Sequence, residues 1–179
     1  VNDHVTRFDF SHFSKVSDEE LQNIEKMVNQ KVREDIALDE KRNVPIKQAQ
    51  EMGATALFGE KYGDRVRVVS VGDWARELCG GTHVARTGQL GVVKLLSESS
   101  IGAGVRRVEA LVGADAYKFL AREHILVNQL TDLIKGAKGE ELPERISGLI
   151  NKLKDTEKEL GQVRSQQALA QVSGLLENA

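Results

Sequence analysis

Gly91-Val92-Val93-Lys94-Leu95-Leu96-Ser97 and Val105-Arg106-Arg107-Val108-Glu109-Ala110-Leu111-Val112 are two runs rich in β-branched and aliphatic residues, joined through Ser99-Ser100-Ile101-Gly102-Ala103-Gly104. Their composition reads as strands, and the Gly- and Ser-rich join reads as a turn. Working outward, Arg65–Val71 alternates Arg, Val, Arg, Val before a second apolar pair, which predicts a strand with one face partly wet. Thr6-Arg7-Phe8-Asp9-Phe10 alternates polar and apolar and predicts another. Ser17-Asp18-Glu19-Glu20 has the form of a capping box, in which a hydroxyl and a carboxylate three residues on satisfy free backbone N–H groups. The helix it opens sets Leu21, Ile24, Val28, Val32 and Ile36 on one stripe. A shorter helix starts near Pro45 and stops at Gly53. Through residue 113 the expectation is an α+β domain whose antiparallel sheet carries packed helices.

Beyond Gly113 the pattern changes. Residues 114–134 are helical in composition, with Leu120, Val127, Leu130 and Ile134 as buried candidates. Gly136 and Gly139 interrupt them, and Pro143 opens a second helix. Ile146, Leu149, Leu153, Thr156, Leu160, Val163, Gln167 and Ala170 follow at alternating three- and four-residue steps, the seam of a coiled-coil hairpin or small bundle. Two regions are expected: 1–113 and a helical segment, 114–179.

The 179 residues suffice for one domain with an appendage. Aromatics make up only 4% of the chain, so the core must be built from Val, Leu, Ile and Ala. No apolar run approaches the roughly 20 residues that cross a bilayer, and the first residues lack the pattern of a signal peptide. One cysteine forms no internal disulfide, so Cys79 is a thiol in a reducing compartment or a metal ligand, and the cytoplasm is the default location. The net charge of -2 does not suggest a nucleic-acid binder. Residues 61–112, however, carry 8 basic against 5 acidic side chains. Arg65, Arg67, Arg76, Arg86, Lys94, Arg106 and Arg107 are either a phosphate-facing surface or scattered solvated charges.

Glu77-Leu78-Cys79-Gly80-Gly81-Thr82-His83-Val84 is the segment with chemical promise. A thiolate and an imidazole, separated by residues that include two glycines, can turn onto one metal ion, and zinc favours this mixed set. The glycines would permit a tight turn, with N–H groups reaching the sulfur. Zinc normally takes three or four protein ligands, and this segment offers two. His4, His12 and His124 do not obviously complete it. Ile101 to Glu109 is a second candidate: Gly102 and Gly104 allow close backbone approach, or simply make a hairpin turn. Arg106 and Arg107 offer guanidinium forks on opposite faces of a strand.

Four segments taken together resemble the alanyl-tRNA synthetase family of bacterial type. They are Arg7-Phe8-Asp9-Phe10-Ser11-His12; Gly53-Ala54 with Ala56-Leu57-Phe58-Gly59-Glu60-Lys61-Tyr62-Gly63; Cys79-Gly80-Gly81-Thr82-His83 with Thr87-Gly88; and Gly104-Val105-Arg106-Arg107-Val108-Glu109. They stand in the family's order across 1–113, the rear of its editing domain, and the helices beyond look like the start of its C-terminal region. The resemblance implies hydrolysis of tRNA(Ala) wrongly charged with serine or glycine. It implies zinc held by Cys79, His83 and the two histidines of a His-x-x-x-His helix expected upstream of Val1. Gly80, Gly81, Thr82, Gly104, Arg106 and Arg107 would face tRNA or substrate, with Thr82 either supporting the ligand loop or purely structural. ATP and Mg2+ belong to the family's alanine-activating domains, also expected upstream. Deacylation by this chain alone is therefore not expected, and no residue is singled out as catalytic. Other readings are a tRNA-binding module whose helices pair two chains as a homodimer, a freestanding editing protein, and a threonyl-type editing domain.

Overall fold

The computed structural model describes residues 5–56, 61–134 and 136–176, with side chains to 169; His4 and Leu57-Phe58-Gly59-Glu60 lie outside the described residues. The chain divides into two compact units, Val1–Leu120 and Ala121–Ala179.

The first unit is built on two sheets. One joins β1 (Thr6–Ser11), β7 (Val105–Val112) and β6 (Val93–Gly102) in that order, all antiparallel. The other has the order β2 (Leu38–Pro45), β4 (Arg65–Val71), β5 (Ala75–Leu78) and β3 (Thr55–Ala56). Its β2–β4 and β4–β5 pairs are antiparallel, and only the two-residue pair β3–β5 is parallel. The α+β class and the antiparallel pairing are as expected, distributed over two sheets. The β6–β7 hairpin is longer than its composition suggests. Strand β6 runs on through Ser99-Ser100-Ile101-Gly102, and the turn itself is Ala103-Gly104. Gly104 has φ +69°, a backbone state that favours glycine, so the hairpin accounts for this residue by itself.

Helix α1 (Asp18–Arg33) begins at Ser17, whose side chain accepts from the Glu20 N–H while the Glu20 carboxylate accepts from the Ser17 N–H at 2.8 Å. The expected stripe is only partly buried. Val32 is buried and Val28 packs on the sheet core beside it, but Ile24 is 43% exposed and Ile36 lies beyond the helix end. A cavity of about 320 Å³ beneath the helix, bordered by Phe8, Phe10, Ile24 and Leu95, accounts for the looser packing there. Helix α2 (Ile46–Glu51) follows Pro45 and ends before Gly53, whose φ is +75°.

Each sheet has its own small core. Val44, Ala49, Val66, Val68 and Leu78 pack between α2 and the four-stranded sheet; Val32, Val93 and Ala110 pack between α1 and the three-stranded one. Fully burying such an aliphatic side chain contributes roughly 1.5–3 kcal/mol. Valine dominates both clusters, as a chain poor in aromatics requires.

Helix α3 (Ala114–Leu133) spans the division between the units, and α4 (Leu142–Leu176) occupies most of the second. Leu120 and Val127 are about 40% exposed rather than buried, whereas Leu130 and Ile134 are half-buried. On α4 the seam side chains Leu149, Leu153, Leu160 and Val163 are all exposed. The three-four spacing is present, but among the described residues most of this seam is exposed. No described helix is long and apolar enough to cross a membrane.

Candidate functional site

The Cys-Gly-Gly-Thr-His segment begins where β5 ends. Leu78 is 1% exposed and pairs with Val68 across the β4–β5 ladder. The next bond, from the Cys79 N–H to the Arg67 carbonyl at 3.2 Å, extends that ladder one residue further. Beyond it the chain leaves the sheet. Cys79 is half-buried, and Gly80, Gly81, Thr82 and His83 are exposed.

Arg67 organises this loop. Its Nη1 donates to the carbonyls of Gly80 at 3.3 Å and Gly81 at 2.5 Å. Its Nη2 donates to Glu40 Oε2 at 2.6 Å and lies 3.1 Å from His83 Nδ1. Glu40, on β2, is itself bonded to Arg42, and the guanidiniums of Arg42 and Arg67 hold its carboxyl below the usual carboxylate range. A guanidinium can only donate, so the Arg67 contact requires an unprotonated Nδ1 on His83.

The glycines act differently from the sequence expectation. Neither Gly80 nor Gly81 has a positive φ, and no loop N–H bonds to the Cys79 sulfur among the described residues. What the structure uses is their carbonyls, which the Arg67 fork grips. A Cβ on Gly81 would meet the Cys79 Sγ at 3.6 Å, an ordinary contact. The Thr82 hydroxyl has no protein partner among the described residues.

The thiol and imidazole suit zinc by donor chemistry, yet among the described residues no group of three or more His, Cys, Asp or Glu could hold an ion. Zinc on His83 Nε2 would require a proton on Nδ1, and zinc on Nδ1 would take the lone pair facing Arg67; either way Arg67 must release the ring. Cys79 and His83 supply two donors of suitable chemistry, fewer than the three or four protein ligands zinc usually takes. His12 stands apart, its ring beside Phe10 and Phe13 and its Nε2 3.4 Å from the Ser14 Oγ. His124 is exposed on α3, with Nε2 3.2 Å from Asn128 Nδ2.

Most of the basic residues of 61–112 are engaged by protein partners, while Arg65 at the start of β4 is exposed. Arg106 is bonded to Glu98, whose side chain is 1% exposed, and Arg107 makes a two-point bond to Asp9 at 2.7 and 2.8 Å. These bonds hold the Glu98 and Asp9 carboxyls below their ordinary range and raise both guanidiniums. Arg76 donates to Ser70 and the Met52 carbonyl, Arg86 to Asp35, and Lys94 to Glu25. Arg106 and Arg107 thus brace the three-stranded sheet, and a phosphate would have to compete with carboxylates already in place.

Thr87-Gly88 has a structural explanation. The Thr87 hydroxyl accepts from the Ile36 N–H at 2.8 Å and donates to the Lys31 carbonyl at 2.7 Å, while the Gly88 N–H donates to Asp35 Oδ1 at 3.2 Å. These bonds staple the end of α1 to the segment just after the loop.

Sequence reasoning named Arg67 only as a possible phosphate-facing charge and connected neither it nor Glu40 with this loop. The signal was available in the β4–β5 hairpin: the register that pairs Val71 with Ala75 also pairs Val68 with Leu78 and brings Arg67 opposite Cys79. Reading it required recognising the short strand β5.

Comparison with known proteins matches this frame. The family described as the threonyl and alanyl tRNA synthetase second additional domain matches residues 66–109, from β4 through the loop and into β7. The chain thus contains a synthetase domain of editing type. Over nearly its whole length it is similar to alanine–tRNA ligases: 57% identical over 173 residues to that of a Nocardioides species, 51% over 173 to that of Streptomyces avermitilis, and 53% over 172 to that of Acidothermus cellulolyticus. The alignments cover 97%, 97% and 94% of this chain and 19% of each relative. The chain belongs to the alanine–tRNA ligase family and spans about a fifth of the length of these curated relatives.

Proposed function

We propose that this chain forms part of the editing site of an alanine–tRNA ligase, which hydrolyses seryl- or glycyl-tRNA(Ala), and that the Cys79–His83 loop faces the 3′ end of the tRNA. The observation that carries this reading is the four-point hold of Arg67 on Gly80, Gly81, His83 and Glu40, because ester hydrolysis needs reacting groups fixed to within fractions of an ångström. Cys79 and His83 are two ligands of a zinc ion in this proposal, the others coming from a His-x-x-x-His helix elsewhere in the protein. The ion, when bound, supplies Lewis acidity that orients the ester or an attacking water. Seryl and glycyl esters are distinguished from alanyl ones by pocket size and polar contacts. ATP and Mg2+ serve alanine activation in other domains, and the cytoplasm is the proposed compartment.

The exposed apolar seam of α4 supports a further part of the reading, in which these helices pair two copies of the chain as a homodimer.

Release of labelled serine from mischarged tRNA(Ala) tests the editing role on three proteins: this chain, a longer protein that includes the histidine pair, and the longer protein with Cys79→Ala. The expected order is background, turnover, and near background. Turnover by the 179-residue chain alone would overturn the half-site reading.

A further inference from the structure

Arg67 lies outside the Cys79–His83 segment, yet it bonds to three residues of that segment's turn. It sits on β4 between buried Val66 and Val68, so its backbone is held by the sheet core. Its side chain is 22% exposed, and its Nε is buried with no partner among the described residues. An unpaired buried N–H is an uncommon and costly feature, which an arginine turned to solvent would avoid. The geometry therefore favours the fork toward the loop over full satisfaction of the side chain. Glu40 meets the same Nη2 that faces His83 and braces the fork from the neighbouring strand.

We propose that Arg67, braced by Glu40, is the positioning residue of the editing site: it holds the Gly80 and Gly81 carbonyls inward and sets the orientation of the His83 ring. The role of the loop rests on the editing reading; the role of Arg67 toward the loop rests on its own geometry. A planar, permanently charged fork with several donors suits two carbonyls, a carboxylate and an imidazole at once, and a lysine ammonium cannot reproduce that shape. Because the loop is otherwise exposed, its order depends on this one side chain.

The test is 15N relaxation and imidazole 15N spectroscopy on the 179-residue chain. Rigid backbone gives order parameters of about 0.85 and flexible backbone falls below about 0.6. Wild type is expected near the rigid value at Gly80, Gly81, Thr82 and His83. Arg67→Met should bring these four residues to the flexible range and shift the His83 ring resonances, with melting temperature and β4 signals little changed. Arg67→Lys and Glu40→Gln should fall between, and they carry the test if Arg67→Met does not fold. Unchanged loop order and unchanged His83 resonances in Arg67→Lys and Glu40→Gln overturn the proposal. Loop loosening in the variants, with no deacylation by any protein containing this segment, upholds the positioning role and removes the editing reading. Deacylation with loop order indifferent to Arg67 removes the positioning role alone.

Discussion

The Arg67 Nη2 lies 3.1 Å from the His83 Nδ1, so the imidazole offered to a metal is already engaged by a cation. Loading zinc on His83 requires Arg67 to yield that contact, and among the described residues no group of three or more His, Cys, Asp or Glu could share the ion. Zinc is therefore expected to be held weakly, with less than one equivalent remaining after dialysis against a mild chelator. Metal analysis of the dialysed chain checks this. A full equivalent surviving the treatment would mean that the two-donor description of the site is wrong.

Gly88 packs directly against Asp35. A Cβ there would stand 2.5 Å from Asp35 Oδ1 and 3.0 Å from its Cγ. The carboxylate cannot move aside freely, because Oδ2 accepts from Arg86 Nε at 2.7 Å and Oδ1 accepts from the Gly88 N–H itself. Gly88→Ala should cost on the order of 1–3 kcal/mol, the usual range for overpacking. Thermal denaturation should show a drop of several degrees, and an unchanged melting temperature would mean that Asp35 is not needed where it stands.

The three-stranded sheet carries three carboxylates held below their ordinary range: Glu98 by Arg106, Asp9 by Arg107 and Glu109 by Arg7. A carboxyl whose folded pKa is depressed contributes stability above its unfolded pKa, about 4, and loses that contribution as pH falls through the folded value. The first unit should thus lose stability below about pH 4. Glu98→Gln should lower the melting temperature at pH 7 and narrow the difference between pH 7 and pH 3. Circular dichroism melts across that range decide it; equal pH dependence in both proteins would exclude Glu98 as a contributor.

Leu153 is 58% exposed on α4, at the middle of the apolar seam. If two copies pair along it, Leu153→Asp buries an unpartnered charge only in the pair and should convert a dimer to a single chain. Sedimentation of both proteins reads this out. A wild-type chain that already sediments as one copy, or a variant of unchanged mass, would remove the pairing.

Much of the frame could be read from local chemistry. Ser17 and Glu20 announced the start of α1, the Arg-Val alternation marked β4 to its last residue, and Pro45 and Gly53 bracketed α2, because each feature acts through residues adjacent in the chain. Cys79 and His83 also stood out, since an unusual pair of donors is visible without a fold. Three-dimensional pairing decided the rest. Strand β2 follows a turn at Asp35 and carries Asn43, both with positive φ, and its polar run Asp39-Glu40-Lys41-Arg42 has little apolar alternation to reveal it. It exists because β4 provides a ladder for it.

By itself, then, the sequence determined the elements whose signals lie within a turn or two of the chain, and it marked Cys79 and His83 as a candidate pair of donors. Only the tertiary structure decided what holds those donors. Arg67 and Glu40 are 27 residues apart and meet across β2 and β4, and Arg67 is 16 residues from His83, reached through a hairpin. The same holds for Arg106 and Arg107, which look like free forks in the sequence but are committed to Glu98 and Asp9 once β1, β7 and β6 align. Charge pairing depends on distances between side chains, and register, not spacing along the chain, sets those distances.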